Sequence, residues 1–262
     1  MSDNTAGKYR ARIRFAKYGV MKYVGHLDTM RFFQKAIRRS NIPIAYSKGF
    51  HPHQLLSFAQ PLGVGVSSEG EYLDIELVEY IKPDIAIHAL NEQMASGVFV
   101  IDLKYLKDGE KKAMAAVTAA SYLAGLSCKE DDKTETFNNI KWESLIREFY
   151  TDPDSIMITK ETKKGQRTLD LKPLVYNFTY LKKDSVFHCL KYISLDDIAS
   201  DSDNEKWFLL DVSSGSTDNI KPQLLFSHFL SNIALDPDSI RLGVTRLDLL
   251  RDDGKGGHSP LL

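Results

Sequence analysis

The sequence contains very few cysteines. Only Cys128 and Cys189 occur in its 262 residues, far apart and outside any CxxC or CxxxCxxC pattern. A disulfide framework, a zinc ribbon or an iron–sulfur cluster held by this chain is therefore not expected. We expect no cofactor in this chain and a reducing, cytoplasmic location.

Long apolar runs are also lacking. No stretch approaches the roughly 18 to 20 apolar residues that a membrane-spanning helix needs. The first residues, MSDNTAGKYRARIRF, contain no apolar core of a signal peptide. At 43% hydrophobic and 26% charged residues, the composition is that of an ordinary globular protein without a membrane partner.

Familiar catalytic motifs are absent as well. The sequence contains no Gly-x-Ser-x-Gly elbow and no HExxH. The run from Leu62 to Ser68 has two glycines but matches neither GxGxxG nor GxxxxGK[ST], so it does not predict a nucleotide site. We therefore lean against catalysis by this chain alone.

Charge is distributed very unevenly. Residues 1–60 contain 11 Lys or Arg and only two acids, a charge of +9, although the whole chain has a charge of −1. The remainder therefore has a charge of −10. This asymmetry predicts a surface for a polyanion, although the basic face could instead pair with the acidic remainder of the chain.

The hydrophobic pattern predicts an α+β fold. Residues 9–17 alternate apolar residues with arginines, as in a half-buried strand. A helix follows over 27–40, with Leu27, Met30, Phe33 and Ile37 on its apolar side. With strands at 55–59, 71–78 and 98–106 and a helix starting at Pro83, the order is β-α-β-β-α-β, typical of a ferredoxin-like unit.

The pattern recurs after a polar linker at 107–112. We predict strands at 115–126, 186–193, 207–212 and 240–250, helices at 137–150 and 222–232, and an inserted hairpin of 155–160 with 166–171. The predicted fold is thus two tandem ferredoxin-like units, 8–106 and 113–251, the second with inserted strands. Residues 252–262 are predicted to be a flexible tail.

Two neighbouring segments offer contacts for RNA. The helix carries cations on the side opposite its apolar residues, and the segment Ser47-Lys48-Gly49-Phe50 combines a hydroxyl, a cation and an aromatic ring, which suits phosphate contact and base stacking. Phe50 is the candidate for stacking, although it could instead pack into the core. The candidate phosphate contacts are Arg10, Arg12, Arg14, Arg31, Lys35, Arg38, Arg39 and Lys48.

Histidines and acids near the same segments suggest alternatives. His26, Asp28 and His51 are the catalytic candidates, with His26 as a general acid or base. Equally, Gly25-His26-Leu27-Asp28 could be only the entry into the helix. His26, His51 and His53 form a weak candidate set of metal ligands. Glu69, Glu71, Asp74 and Glu76 are interpreted as a solvated strand end and face.

Several of these motifs together resemble a known family. They are Arg14-Phe15, Gly25-His26-Leu27-Asp28 with Arg31, Arg38-Arg39, Ile42-Pro43, Ser47-to-Pro52, Ser57-Phe58-Ala59, Pro61-Leu62, Gly65 and Glu71-Tyr72. The chain resembles the radical SAM-linked protein family, whose members are encoded beside, or fused to, an uncharacterised radical SAM protein. The resemblance is strong over residues 8–80, and it implies a radical SAM partner that would carry the iron–sulfur cluster and SAM.

These expectations lead to three hypotheses. The first is an accessory protein that binds tRNA or rRNA and presents it to a radical SAM enzyme in RNA modification or ribosome maturation. The second is an RNA-processing or RNA-modifying enzyme that uses His26 as general acid or base. The third is an adaptor that binds the radical SAM partner without RNA.

Overall fold

The computed structural model describes residues 8–129, 134–152, 154–162, 165–198, 205–215, 218–233 and 235–262, and shows a mixed α+β chain. None of the helices in these ranges is long and apolar enough to cross a membrane. The elements in chain order are β1 (Tyr9–Lys17), α1 (His26–Arg39), β2 (Leu56–Phe58), β3 (Ser67–Leu77), α2 (Pro83–Asn91), β4 (Val98–Tyr105), α3 (Ala113–Ala116), β5 (Val117–Cys128), α4 (Thr134–Asn138), α5 (Trp142–Thr151), β6 (Met157–Thr162), β7 (Gly165–Asp170), β8 (Val175–Leu181), α6 (Lys183–Val186), β9 (Lys206–Ser213), α7 (Pro222–Asn232), β10 (Ile240–Asp252) and β11 (His258–Pro260).

A single nine-stranded sheet runs through both halves of the chain. Its order is β4-β1-β3-β10-β5-β9-β8, with β2 paired to β3 and β11 paired to β10. Its pairings are antiparallel apart from the junction of β3 with β10, which is parallel. β6 and β7 form a separate hairpin. The α+β prediction is confirmed at this level.

Each half has its own apolar core. In the first half, Ile13 and Phe15 of β1 pack with Phe33 and Ile37 of α1, and the rings of Phe15 and Phe33 have centroids 4.6 Å apart. In the second half, aromatic residues of α5 and α7 pack against strands β8 and β9. The strand and helix that begin the chain are therefore held by the residues whose spacing predicted them.

The predicted apolar side of α1 is wrong at one position. Leu27 is 61% exposed, whereas Phe33 and Ile37 are fully buried and Met30 is partly buried. Leu27 lies in the first turn of α1, where no other described element covers its side chain. This end of the helix therefore presents an apolar side chain at the surface.

The second half departs from the prediction in two elements. Residues 186–193 form no strand: α6 ends at Val186, turns follow it, and Val186 and Leu190 lie in the same apolar cluster as Trp207. The strand in this region is β8, which the sequence reading missed. The predicted helix 137–150 is two helices, α4 and α5, and part of the predicted turn at 163–164 lies outside the described residues.

The last residues also differ from the predicted flexible tail. β11 pairs with β10 through Leu250, Arg251 and Asp252. Leu261 is almost completely buried in the core of the second half. Its carbonyl also accepts a hydrogen bond from Arg12 Nη1 at 3.2 Å. Burial of a leucine and a backbone pairing together fix this segment against the sheet.

Candidate nucleic-acid interface

One side of α1 is an exposed stripe of cations. Arg31, Lys35 and Arg38 follow Leu27 at intervals of four, four and three residues, and all are exposed. This spacing places them on one side of the helix, over about 16 Å of its length. We call Leu27, Arg31, Lys35 and Arg38 the α1 stripe. The prediction that cations lie opposite the apolar core holds for these side chains.

The cations of α1 have few strong competitors within the chain. Arg31 contacts Asp28 at 3.1 Å, but both side chains are 68% exposed, and ion pairs this exposed are weak. Arg39 bonds the side chain and the carbonyl of Gln93. In the part of the chain that the structure describes, Lys35 and Arg38 form no salt bridge. A phosphate could therefore replace solvent at the stripe with little loss.

A tight loop lies beside α1. Its two ends are joined where Ser47 N donates to the carbonyl of His53 at 2.8 Å, while Ser47 Oγ lies 2.8 Å from His53 Nδ1 and accepts from His53 N. At the tip, Gly49 has φ of 116°, a conformation that favours glycine. Phe50 projects completely into solvent, which excludes the alternative that it packs into the core.

Gln54 connects this loop to the helix. Its Nε2 donates to the carbonyl of Gln34 in the middle of α1 at 3.1 Å. Gln54 is buried, and its Oε1 has no hydrogen-bond partner among the described residues. The loop that carries Lys48 and Phe50 is thus anchored to the helix that carries the stripe, so the two form one surface.

A cavity of about 230 Å³ lies on the other side of the loop. It is lined by Arg10, His53 and Lys112, together with Asp74 and Glu76. Of the three β1 arginines, Arg10 is the one that lines this cavity. The mixed charge of the walls gives this cavity no clear preference for an anion.

Arg12 is wrong as a candidate phosphate contact. It is fully buried, with Nε 2.7 Å from Asp74 Oδ1 and Nη2 donating to the carbonyl of Lys111 at 2.9 Å. The segment 107–112 and the end of the chain cover it. An arginine enclosed in this way cannot reach an RNA backbone.

Arg14 is wrong for the same reason. Its Nη2 lies 3.0 Å from Asp248 Oδ2, its Nε donates to the carbonyl of Glu69, and its guanidinium lies over the rings of Tyr72 and Tyr192. Asp248 and Tyr192 belong to the second half of the chain, which covers this side of β1. The alternating pattern predicted the face correctly, but that face is covered.

The acids of β3 are structural, contrary to their predicted exposure. Glu69, Glu71 and Asp74 are all buried, and Glu76 is half-buried. Glu71 forms a close ion pair with Arg246 Nη1 at 2.9 Å, while Glu69 accepts from the backbone N–H of Lys191 and Tyr192. Burial raises the pKa of the Glu69 carboxyl, although these donors and Arg14 oppose the shift.

The catalytic candidates do not converge. His26 lines a recess of about 10 Å³ with Lys17 and Glu71, and its ring meets Phe58 edge-on at 5.4 Å. Such a recess has room for about one water molecule. Asp28 is exposed and paired with Arg31, and His51 is exposed in the loop. Nothing in this arrangement brings a substrate-sized space to His26.

Lys17 is the unusual group of that recess. Its Nζ donates to the carbonyl of Val24 at 2.6 Å. Burial lowers the pKa of the Lys17 ammonium, and Glu71 opposes the shift. Over the described ranges, no three His, Cys, Asp or Glu side chains lie close enough to hold a metal, and His53 is bonded to Ser47 instead.

Comparison with known proteins gives a family but no activity. A family model described as "Uncharacterized protein conserved in bacteria (DUF2344)" matches residues 10–222. No curated protein matches the chain. A solved structure, "Crystal Structure of a Cbf5-Nop10-Gar1 Complex", is similar at 12% identity and a TM-score of 0.44. The similarity covers 90% of this chain but only about half of that one (47%), and it is too weak to support a function.

Proposed function

We propose that this chain, which belongs to the bacterial family DUF2344, binds RNA through the α1 stripe and the adjoining loop 47–53. The α1 cations would contact phosphates, and Phe50 would stack on an unpaired base. The proposal concerns single-stranded or looped RNA, because a protruding ring needs a base whose face is open.

The observation that carries the proposal is the exposure of these groups. The helix holds one acid, Asp28, against Arg31, Lys35, Arg38 and Arg39, and all four cations reach the surface. Phe50 is fully exposed beside these cations, and an exposed apolar side chain next to a charged surface is typical of a binding site. Buried Arg12 and Arg14 reduce the predicted interface, but they leave this surface intact.

Filter binding of tRNA to two double variants tests the proposal. We expect Lys35→Gln/Arg38→Gln to weaken binding and to make the plot of log affinity against log salt shallower by about 1.4, since each phosphate contact on a single strand contributes about 0.7. The control, Lys141→Gln/Arg241→Gln, removes two exposed cations elsewhere. The proposal fails if RNA does not bind, if salt has no effect, or if both variants weaken binding equally.

The resemblance to radical SAM-linked proteins supplies a setting for this activity. In that setting the chain would present tRNA or rRNA to a radical SAM enzyme that carries the cluster and SAM. Neither the family description nor the solved structure concerns such an enzyme. Co-purification of the two proteins before and after nuclease treatment tests the partnership, and survival of the complex together with failure to bind RNA would favour the adaptor instead.

We also propose that each half is a ferredoxin-like unit. The strand order β4-β1-β3-β2 of the first half and β10-β5-β9-β8 of the second are the same when each half is numbered from its own first strand. Within each half these pairings are antiparallel. The hairpin of β6 and β7 would then be an insertion in the second unit, as the sequence predicts.

A further inference from the structure

A larger cavity opens where the two halves of the chain meet. Its volume is about 350 Å³, within the range of small-molecule sites. The loop 61–66 of the first half forms one wall. The rest is formed by Tyr122 of β5, by Val244 and Arg246 of β10, and by Asn219, Lys221, Pro222 and Gln223 at and just before the start of α7.

The charged side chains that line this cavity are two cations, Arg246 and Lys221. Among the residues that the structure describes, no Asp or Glu lines it. Arg246 is held in place by Glu71 behind it, whereas Lys221 is exposed and immediately precedes α7. The beginning of α7 adds the positive end of a helix dipole on the same side. The cavity therefore favours an anion, unlike the mixed cavity beside Arg10.

Tyr122 supplies a hydrogen-bond donor to the lining of the cavity. It is 5% exposed, and its hydroxyl accepts hydrogen bonds from Arg246 Nε and Nη2 at 3.3 Å each. Among the described residues nothing accepts the proton of that hydroxyl. A hydroxyl that accepts from a cation becomes a stronger donor. Tyr122 is thus prepared to donate to an anionic oxygen in the cavity.

The remaining walls are mostly apolar, with the two amides Asn219 and Gln223 among them. The apolar side chains are those of Pro61, Leu62, Val64, Val66, Pro222 and Val244. A ligand that satisfies the whole cavity therefore combines a compact anionic group with a larger body of low polarity. A nucleotide has this composition, because its phosphate is compact and charged while its base presents flat faces of low polarity.

We propose that this cavity binds one nucleoside monophosphate unit, with its phosphate at Lys221 and Tyr122 and its base against the apolar walls. The residues involved are separate from the α1 stripe, so the site goes beyond the RNA surface proposed above. Gly65 N of the cavity loop donates to the carbonyl of Lys22 at 2.9 Å, just before α1. This bond joins the cavity loop to the segment that leads into α1. The bound unit could thus be the phosphorylated end of an RNA strand as well as a free mononucleotide.

Calorimetric titration with AMP and UMP tests the site in the full chain. We expect both nucleotides to bind, and adenosine and uridine to bind at least tenfold more weakly because they lack the phosphate. Tyr122→Phe and Lys221→Gln should each weaken AMP binding about tenfold, the usual effect of losing one hydrogen bond to a charged group. The control Lys141→Gln removes a lysine that likewise precedes a helix and should leave binding unchanged.

Competition with short RNA distinguishes the two sources. If an RNA with a 5′-phosphate displaces AMP and its 5′-hydroxyl counterpart does not, an RNA end is a ligand of the site; if only free nucleotides compete, the ligand is a mononucleotide. Both results support the site. Absence of binding at millimolar AMP, equal binding of adenosine, or full affinity in both Tyr122→Phe and Lys221→Gln would overturn it. Repeating the titration with Lys35→Gln/Arg38→Gln separates this site from the α1 stripe, because that variant should retain AMP binding.

Discussion

At the scale of single residues, the junction of the two halves depends on a missing side chain. Gly70 of β3 lies so close to β10 that a Cβ atom there would clash with the Asp248 Cα and the Leu247 carbonyl. Both are backbone atoms, so neither can rotate away. The need for glycine at this position comes from the close approach of two strands that are far apart in the sequence, and no local pattern indicates it.

Gly70→Ala should therefore destabilise the protein. We expect a loss of about 1–3 kcal/mol in the free energy of unfolding, the usual cost of forcing an atom into a packed interior. Urea denaturation measures it. Gly63→Ala is the matched control, since its Cβ would meet only Val66 Cγ2, at an ordinary 3.5 Å. Equal stability of the two variants would show that β3 and β10 can separate without cost.

Glu69 should give the stability a dependence on pH. Burial raises the pKa of its carboxyl above the ordinary value of 4.5, so the folded state holds this proton more tightly than the unfolded state. Its contribution to stability is then complete below pH 4.5 and is lost as the pH rises through the folded pKa. Glu69→Gln has no proton to lose, so its stability relative to wild type should increase over that interval, by at most about 1.4 kcal/mol per pH unit.

Urea unfolding of both proteins from pH 4 to 8 measures this difference. Asp248, whose carboxyl pKa is also raised by burial, remains in both, so its effect cancels. The exposed Glu79→Gln serves as the control and should follow wild type. If the free energy of unfolding of Glu69→Gln runs parallel to that of wild type across this range, the fold does not raise the pKa of the Glu69 carboxyl.

At the scale of elements, the local hydrophobic pattern predicts a strand or helix correctly where that element packs against a single neighbour. The alternation in β1 and the spacing in α1 predict both elements, and Gly165 marks the start of β7 in the predicted hairpin. Prediction fails where residues serve a contact made elsewhere. Val186 and Leu190 belong to the apolar cluster around Trp207, but α6 ends at Val186 and turns follow it, so the apolar run that predicts a strand does not form one.

The C-terminal segment is the clearest case, and it gives a prediction. Its short length and its glycines indicate a flexible tail, whereas the structure buries Leu261. Leu261→Ala should cost about 2–4 kcal/mol in the free energy of unfolding, as for other buried leucines. Leu262→Ala, at a position only partly buried, should cost less. Indistinguishable unfolding curves for wild type and Leu261→Ala would instead support the flexible tail that the sequence predicts.

At the scale of the whole molecule, the candidate interface was predicted in part. The α1 cations and Phe50 of the neighbouring loop are exposed, because among the described residues no other element packs over them. The β1 arginines have the same local pattern as a solvated strand, yet Arg12 bonds Asp74 and Leu261, which lie 62 and 249 residues away. Such partners are invisible to a local pattern, and for the same reason the cavity at Tyr122 and Arg246 could not be foreseen.

The bond between Arg12 and Leu261 has a consequence for synthesis on the ribosome. β1 is synthesised well before the carbonyl that completes the surroundings of its central arginine, which lies 249 residues later. β3 likewise waits for β10 before its other edge is paired. The first half therefore has a charged group and a strand edge uncovered until β10 and Leu261 have been synthesised, and contacts between residues this far apart in the sequence form slowly. Closure of the sheet cannot accompany the synthesis of β1 to β4, because it needs strands from the second half.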